Sequence, residues 1–282
     1  MTTGRRRTRP RPAPTNRRLS PNPSPRMSAP RTEPVFHRSS NTQNSPAREC
    51  PMTAPYRLHY APDNASVIVR LTLEELGVPY ETLLLERSKQ AQAAPAYLAL
   101  NPGGLIPTLE TPEGTIFETG AILLWLADRH GRLAPAPDAP ARGDFLKWLF
   151  YLANTAHTAL RMSFYPEKYV GPDQGAQDLL RATMQAHFAG HLDILETRAT
   201  PWFSTDCPSV LDYYLACLMR WRALYPEGLC SGYDANAWPR LTRLLEHLET
   251  RPATQRAALA EGLGAQPFTA PDYCNPPEGS AT

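Results

Sequence analysis

The chain has 282 residues, which is enough for one large domain or two modest ones. It contains no stretch of about eighteen apolar residues, and this excludes a helix that spans a bilayer. The net charge of +2 is unevenly distributed: residues 1–51 carry +9, and the remainder, with 18 basic and 25 acidic side chains, carries −7. A mildly acidic body argues against nucleic acid as a partner of the folded part.

The first residues have an unusual composition, with eleven arginines, two acids and ten prolines among residues 1–51. The segment has few large apolar side chains, and burying them cannot offset the conformational entropy lost on folding. We therefore predict a disordered tail over residues 1–53. The segment lacks the apolar stretch of a secretory signal, and its prolines would break the helix of a transit peptide. Two interpretations stay open: a basic tail that touches an acidic partner, or an extension without function upstream of a start at Met52.

Residues 54–134 show the pattern of one α/β domain. Alternating or β-branched runs, separated by turn residues, predict strands, and apolar residues at helical spacing predict helices between them. The predicted order is β-α-β-α-β-β-α. Strands are expected over 56–60, 80–85, 106–110 and 115–118. Helices are expected through Val69, Leu73 and Leu76 up to Gly77, over 93–98, and from Thr119 to Gly131.

The rest of the chain is predicted to be all-helical. A proline-rich connector over 135–140 separates it from the α/β domain. The helical domain is expected over 141–263, and residues 264–282 contain little to pack and should form an irregular tail. Helices are predicted over 145–162, 179–198 and 210–221, with a further one that begins at Pro239.

The helix over 210–221 is apolar nearly all round, so it should lie in the core of the helical domain. Ser209 and Asp212 precede and open it with the spacing of a capping box, in which each side chain bonds to the other residue's backbone N–H. Their predicted role is structural.

The five cysteines are widely scattered, and none forms a C-x-x-C pair. Neither a disulfide framework nor a zinc site is therefore predicted, and no metal is expected. A reducing, cytoplasmic compartment fits this usage. The cysteines are Cys50, Cys207, Cys217, Cys230 and Cys274.

Two motifs identify a family. The segments NPGGLIPTL over 101–109 and FETGAI over 117–122 resemble N-P-x-G-x-[VI]-P-x-L and E-[ST]-x-A-I of the cytosolic glutathione transferases. LHYAP over 58–62 and YLANTAH over 151–157 resemble the bacterial beta class. The resemblance covers roughly residues 56–262. It implies a thioredoxin-like domain that binds glutathione, followed by a helical bundle domain.

The resemblance implies how glutathione is held. Ile106 would offer its backbone to the cysteinyl part, beside a cis bond to Pro107; alternatively, Pro107 simply starts an edge strand. Thr119 would hold the γ-glutamyl carboxylate at a helix start, while Glu118 meets the ammonium. Thr119 is also open to interpretation as an ordinary N-cap, and both roles use the same geometry.

A transferase of this kind must favour the thiolate of a thiol whose unperturbed pKa is about 8.5. The candidate donors to the sulfur are Ser66, Tyr60 and Asn64, near the first turn. Ala65 stands where the beta class carries its cysteine, and His157 falls where that class carries a histidine that faces glutathione. Three alternatives stay open: Ser66 as a helix cap, Tyr60 as a core aromatic, and His157 as a satisfied core group.

The implied function is an enzyme that conjugates glutathione, its substrate, to a small apolar electrophile. Trp148, Tyr165 and Tyr169 are predicted wall residues for that electrophile. The alternatives are a glutathione-dependent peroxidase, disulfide reductase or isomerase, or a non-catalytic binding module that kept the fold. The resemblance also implies a homodimer.

Overall fold

The computed structural model describes residues 56–199, 201–205, 207–230 and 232–281. The predicted tail over 1–53 and the alternative start at Met52 lie outside this part of the chain. Among the residues described, none of the helices has both the length and the apolar content of a membrane-spanning segment.

A four-stranded mixed sheet forms the first half of the fold. Its strands have the order β2-β1-β3-β4; β1 and β2 are parallel, while β3 runs antiparallel to both β1 and β4. Leu58 and Leu109 face each other across β1 and β3 and are fully buried. The strands are β1 (Tyr56–Tyr60), β2 (Tyr80–Leu84), β3 (Thr108–Thr111) and β4 (Gly114–Phe117).

Helices cover the sheet in the predicted order, which confirms the thioredoxin-like arrangement. Helix α1 packs against helices of both the sheet-containing half and the helical half, and nine of its eleven residues are buried. It ends at Gly77, whose positive φ of 69° lets the chain leave the helix while the glycine N–H bonds to the carbonyls of Leu73 and Glu74. The helices of this half are α1 (Ser66–Leu76), α2 (Pro95–Leu98) and α3 (Thr119–His130).

The second half is helical, as predicted. In place of the single helix expected over 145–162, the structure has three helical segments that follow one another without a break: α4, a π-helical segment Tyr151–Ala156, and α5. Asp173 caps α7 by accepting a hydrogen bond from the Ala176 N–H, so α7 begins earlier than predicted. The helices are α4 (Arg142–Phe150), α5 (His157–Phe164), α6 (Glu167–Val170), α7 (Gln174–Arg198), α8 (Val210–Leu224), α9 (Pro239–Glu249) and α10 (Pro252–Glu261).

Helix α8 is the core helix of this half, and the predicted capping box is present. The Ser209 N–H donates to Asp212 Oδ2 at 2.6 Å, and the Leu211 N–H donates to Ser209 Oγ at 3.2 Å. Fourteen of its fifteen residues are buried, so the uniformly apolar pattern correctly indicated its position.

The segment 264–281, which we call the C-terminal strap, contains neither helix nor strand, as predicted, but the expectation that it packs little is wrong. Phe268 is buried, and the Arg220 guanidinium donates to the carbonyls of Pro267 at 2.9 Å and Asp272 at 2.8 Å. The strap is held through backbone groups as well as through the side chains of Thr269, Tyr273 and Glu278, and all of these partners lie outside the strap, so local sequence patterns did not reveal the contacts.

Candidate functional site

A cavity of about 560 Å³ lies where the start of α1, the loop before β3 and the start of α3 meet α5 and α8. Most of the residues predicted for the glutathione site line it, although they come from distant parts of the sequence. Those lining it are Asn64, Ile106, Pro107, Glu118, Thr119 and His157; Tyr60 and Ser66 do not line it.

The loop before β3 presents its backbone to the cavity. The Ile106–Pro107 bond is cis. Strand β3 pairs on both sides, so the alternative that Pro107 starts an edge strand is wrong. Among the described residues, the Ile106 N–H and C=O have no hydrogen-bond partner. This backbone is therefore free to pair with an extended peptide.

Two residues that the sequence analysis did not single out hold this loop. Tyr97 Oη donates to the Leu105 carbonyl at 2.6 Å, and Asn101 Nδ2 donates to the same carbonyl at 2.8 Å. Asn101 Oδ1 also accepts from the Gly103 N–H at 3.0 Å, and both side chains reach the Thr108 hydroxyl. Asn101 opens the motif over 101–109, so its position was the available signal.

The start of α3 forms the neighbouring part of the cavity wall. Glu118 has a φ of +71°, in the left-handed region, and immediately precedes Thr119, the first residue of the helix. Thr119 is therefore not the N-cap, and that alternative is wrong. A strained residue beside unpaired helical N–H groups is a feature often found at binding sites. The helix start suits a carboxylate group of a ligand, and the Glu118 side chain beside it suits a positively charged group of the same ligand.

Two of the three predicted sulfur donors face away from the cavity, and these predictions are wrong. Ser66 is fully buried, and its hydroxyl donates to the Ala61 carbonyl at 3.1 Å rather than capping α1. Tyr60 is also buried, and its hydroxyl donates to Glu278 Oε1 in the C-terminal strap at 2.5 Å. Burial and this carboxylate raise the pKa of Tyr60.

Asn64 is the predicted donor that remains at the cavity, next to Ala65. Asn64 Nδ2 donates to the carbonyls of Pro62 and Ala281, each at 3.0 Å. Arg87 Nη1 donates to the Ala281 carbonyl at 2.5 Å and to Asn64 Oδ1 at 3.3 Å. The C-terminal strap thus reaches the cavity and contacts Asn64, which lies just before α1.

A buried carboxylate fixes the turn that carries Asn64. Asp63 accepts from Arg220 Nε and Nη2, both at 2.9 Å. It also accepts from Trp221 Nε1 at 2.8 Å and from the Tyr225 hydroxyl at 2.9 Å. Four donors from the end of α8 therefore hold one turn of the α/β half. The sequence analysis missed this cluster, since its members lie more than 150 residues apart.

His157 lines the cavity and also has a partner within the fold, so the alternative of a satisfied group applies, while its role toward glutathione stays a prediction. Its Nδ1 lies 3.0 Å from the Tyr214 hydroxyl, and its ring lies 5.7 Å from the Trp221 ring. Burial, and secondarily the Arg161 guanidinium, lowers the pKa of His157 to about 4. The imidazole is therefore neutral at pH 7. When Tyr214 donates to Nδ1, Nε2 carries the proton and can donate to a ligand.

The wall contributed by the helical half differs from the prediction. Tyr165 lines the cavity, and its hydroxyl accepts from Arg87 Nη2 at 3.2 Å. Trp148 is buried and packs on Tyr151, and Tyr169 lies outside the lining, so neither is a wall residue. The lining residues of this half that the prediction omitted include Arg161, Phe164, Lys168, Tyr214, Trp221 and Tyr225.

Comparison with known sequences points to one family. A family model described as glutathione S-transferase, N-terminal domain, matches residues 65–129. Glutathione S-transferase GstB of Escherichia coli is 32% identical over 200 residues, which are 68% of this chain and 91% of GstB. The disulfide-bond oxidoreductase YfcG of Escherichia coli is 25% identical over 214 residues, which are 73% of this chain and 96% of YfcG.

Solved structures agree with the sequence comparison. A sphingomonad glutathione S-transferase complexed with glutathione has a TM-score of 0.61 at 28% identity, covering 74% of this chain and 100% of that chain. The bacterial beta class enzyme of Sphingomonas chungbukensis has a TM-score of 0.58 at 26% identity, covering 73% and 98%. The predicted resemblance is confirmed, and the chain belongs to the cytosolic glutathione transferase family.

Proposed function

We propose that the chain binds glutathione in the cavity, with the cysteinyl backbone along Ile106 and the γ-glutamyl group at Glu118 and Thr119. The observation that carries the proposal is that three features line one cavity: an unpaired loop backbone at Ile106, a helix start and an exposed carboxylate. These match the amide, carboxylate and ammonium of the tripeptide. The sphingomonad relative, whose structure contains glutathione, supports glutathione as the ligand.

We further propose that the glutathione thiolate is transferred to a small electrophile whose reacting part is apolar. The start of α1 carries the positive end of a helix dipole, which favours a thiolate over a thiol. Asn64 is the predicted donor that lines the cavity beside that helix start, and its Nδ2 group would exchange its bond to the Ala281 carbonyl for one to the sulfur. The neutral His157 ring can donate from Nε2. The aromatic rings of Phe164 and Tyr165 offer an apolar surface to the electrophile.

Glutathione-dependent disulfide reduction is the second candidate. It is favoured by the similarity to YfcG, which is named a disulfide-bond oxidoreductase. Among the described residues, no cysteine lines the cavity, so the glutathione thiolate itself would attack the disulfide. Parallel assays with an aryl halide, a peroxide and a small disulfide separate the two reactions. Glutathione binding without any turnover would instead favour a non-catalytic module.

Calorimetric titration of the full chain with glutathione tests the binding proposal. We expect a dissociation constant between micromolar and low millimolar, weakened about tenfold or more in Glu118→Ala/Thr119→Ala, because two hydrogen-bonded contacts to charged groups are lost. The control is Glu113→Ala/Thr115→Ala, which changes the same residue types at exposed positions outside the cavity. Absence of binding up to about 10 mM would overturn the proposal.

We also propose that the chain forms a homodimer, as family resemblance implies. Light scattering of the purified full chain measures this directly. A mass of one chain at micromolar concentration would contradict it.

A further inference from the structure

The cavity that holds the proposed glutathione contacts also carries an excess of positive charge. Arg87, Arg161 and Lys168 all line it. In the described part of the chain, none of the three lies within 4.0 Å of a carboxylate oxygen. Cations without a carboxylate partner at a concave surface attract anionic ligands, because the low-dielectric walls focus their field.

Aromatic rings, rather than carboxylates, hold two of these cations. Lys168 Nζ lies 4.2 Å from the centroid of the Tyr165 ring. The Arg161 guanidinium donates to the Tyr169 hydroxyl and lies 5.7 Å from the centroid of that ring. Such contacts fix the position of a cation but leave its net charge in place. Arg161 also lowers the pKa of His157, so its field reaches the interior of the cavity.

The acids that line the cavity do not balance these cations. The Asp63 carboxylate is paired with the buried Arg220 guanidinium. Glu118 is assigned to the ammonium of glutathione in the function proposed above. Glu227 is the remaining acid among the described lining residues. One acid therefore faces three cations, and the glycyl carboxylate of glutathione accounts for one of them.

An apolar surface adjoins the cations. Phe164, Tyr165 and Tyr225 line the cavity, and the Phe164 ring lies 6.4 Å from the Tyr165 ring, over which Lys168 sits, and 6.2 Å from the Tyr225 ring. A ligand that matches this wall needs a flat apolar frame and a negative group at one end.

Resting on the proposed glutathione function, we propose that the acceptor is an aromatic or unsaturated electrophile that carries a carboxylate, which Arg161 and Lys168 bind. For an aryl chloride, the glutathione thiol first releases its proton to water. The thiolate sulfur then forms a bond to the ring carbon that bears chlorine. The carbon–chlorine bond breaks, and chloride leaves with the electron pair. No oxidant or reductant is consumed.

A matched pair of ligands tests the proposal without depending on turnover. The glutathione-saturated full chain is titrated with 3,5-dinitrobenzoate and with 3,5-dinitrobenzamide, which differ in the charged group and lack a leaving group. We expect the carboxylate to bind about tenfold more tightly, since it gains one ionic contact with the half-buried Arg161 and one with the exposed Lys168. Added salt should reduce this preference. Equal affinities, or no binding of either ligand, would overturn the proposal.

Substitutions of Arg161 and Lys168 test whether these two residues cause the preference for the carboxylate over the amide. Arg161→Gln and Lys168→Gln should each reduce it about threefold or more, and the double variant should abolish it. Lys147→Gln is the matched control, because Lys147 also lies over an aromatic ring, that of Trp148, but outside the cavity. A preference that survives in the double variant would contradict the assignment of the two cations.

The kinetic measurement separates this proposal from the function on which it rests. The reactive pair 4-chloro-3,5-dinitrobenzoate and 4-chloro-3,5-dinitrobenzamide is compared by kcat/KM at saturating glutathione, each divided by its uncatalysed rate. A preference for the benzoate that the double variant loses supports the proposal. Equal corrected kcat/KM values for the benzoate and the benzamide would overturn the proposed carboxylate-bearing acceptor but leave the proposed glutathione function standing. Absence of glutathione binding in the calorimetric titration would overturn the proposed function and this inference together.

Discussion

At the scale of single residues, the first turn of α1 determines which side chain can reach a bound thiolate. Asn64 lies in the turn before α1, whereas Ser66 is the first residue of the helix. Their side chains therefore point in different directions, Asn64 toward the cavity and Ser66 toward the Ala61 carbonyl. Their sequence positions predicted both residues as donors. Only the folded structure shows that Asn64 lines the cavity and Ser66 does not.

This difference predicts the effects of two substitutions. Asn64→Ala should raise the thiol pKa of bound glutathione and lower turnover, because it removes the amide that would exchange the Ala281 carbonyl for the sulfur. Ser66→Ala should leave that pKa unchanged and lower the free energy of unfolding by about 1 kcal/mol, since it removes one buried hydrogen bond. Ultraviolet titration of the bound thiolate and chemical denaturation measure the two effects. A shifted thiol pKa in Ser66→Ala would contradict the assignment.

The Asp63 cluster supports a second prediction at this scale. Asp63→Asn should lower the free energy of unfolding by about 3–5 kcal/mol, because the buried Arg220 guanidinium would lose its counter-ion. Asp138→Asn, at an exposed position in the connector, is the control and should change it by less than about 0.5 kcal/mol. Chemical denaturation compares the two. Similar values for both variants would show that the pair adds little to stability.

At the scale of elements, the structure separates what local patterns can predict from what they cannot. Helix α8 and its capping box were predicted, since both depend on residues within one segment. Helix α10 was missed, although Pro252 at its start and Gly262 after its end are ordinary helix signals. Its sequence is rich in alanine and buries Thr254 and Glu261, so the apolar spacing that marks a packed helix is weak.

The capping box makes stability depend on pH. Burial raises the pKa of Asp212 to about 7, and its Oδ1 has no hydrogen-bond partner in the described structure. The folded-state pKa exceeds the unfolded one, so the stabilising contribution of the protonated form is complete below about pH 4. This contribution to the free energy of unfolding is lost as the pH rises through 7, and the loss is at most about 4 kcal/mol.

Asp212→Asn tests this dependence, because the amide has a similar shape and does not titrate. The difference in unfolding free energy between the original chain and the variant should change between pH 4 and pH 7, in favour of the variant at the higher pH. Denaturation at a series of pH values measures it, and the difference cancels the titration of other groups. A constant difference would contradict the raised pKa.

At the scale of the whole molecule, the C-terminal strap links the helical half to the α/β half. Arg220 holds both the strap carbonyls and Asp63, and the far end of the strap contacts Asn64 and Arg87. Most of the fold was predictable, because periodicity, turns and the two family motifs are local. The strap contacts were not, since they join backbone groups to side chains up to 217 residues away.

A glycine substitution tests how the strap is seated. A side chain at Gly279 would place Cβ 2.7 Å from Leu84 Cδ1, so Gly279→Val should displace the end of the strap. Gly264→Val is the control: its φ of +85° is as unfavourable for valine, but nothing lies within 4 Å of its Cβ. Amide hydrogen exchange over residues 273–281 should be faster only in the Gly279 variant. Equal exchange in both would show that the strap end is not held by this contact.

The most direct test of the central claim is a crystal structure of the full chain with glutathione. The account predicts that the cysteinyl backbone pairs with the Ile106 N–H and C=O, with the γ-glutamyl carboxylate at the Thr119 N–H and the sulfur toward the start of α1. Glutathione bound outside the cavity, or with its γ-glutamyl group away from α3, would contradict the account.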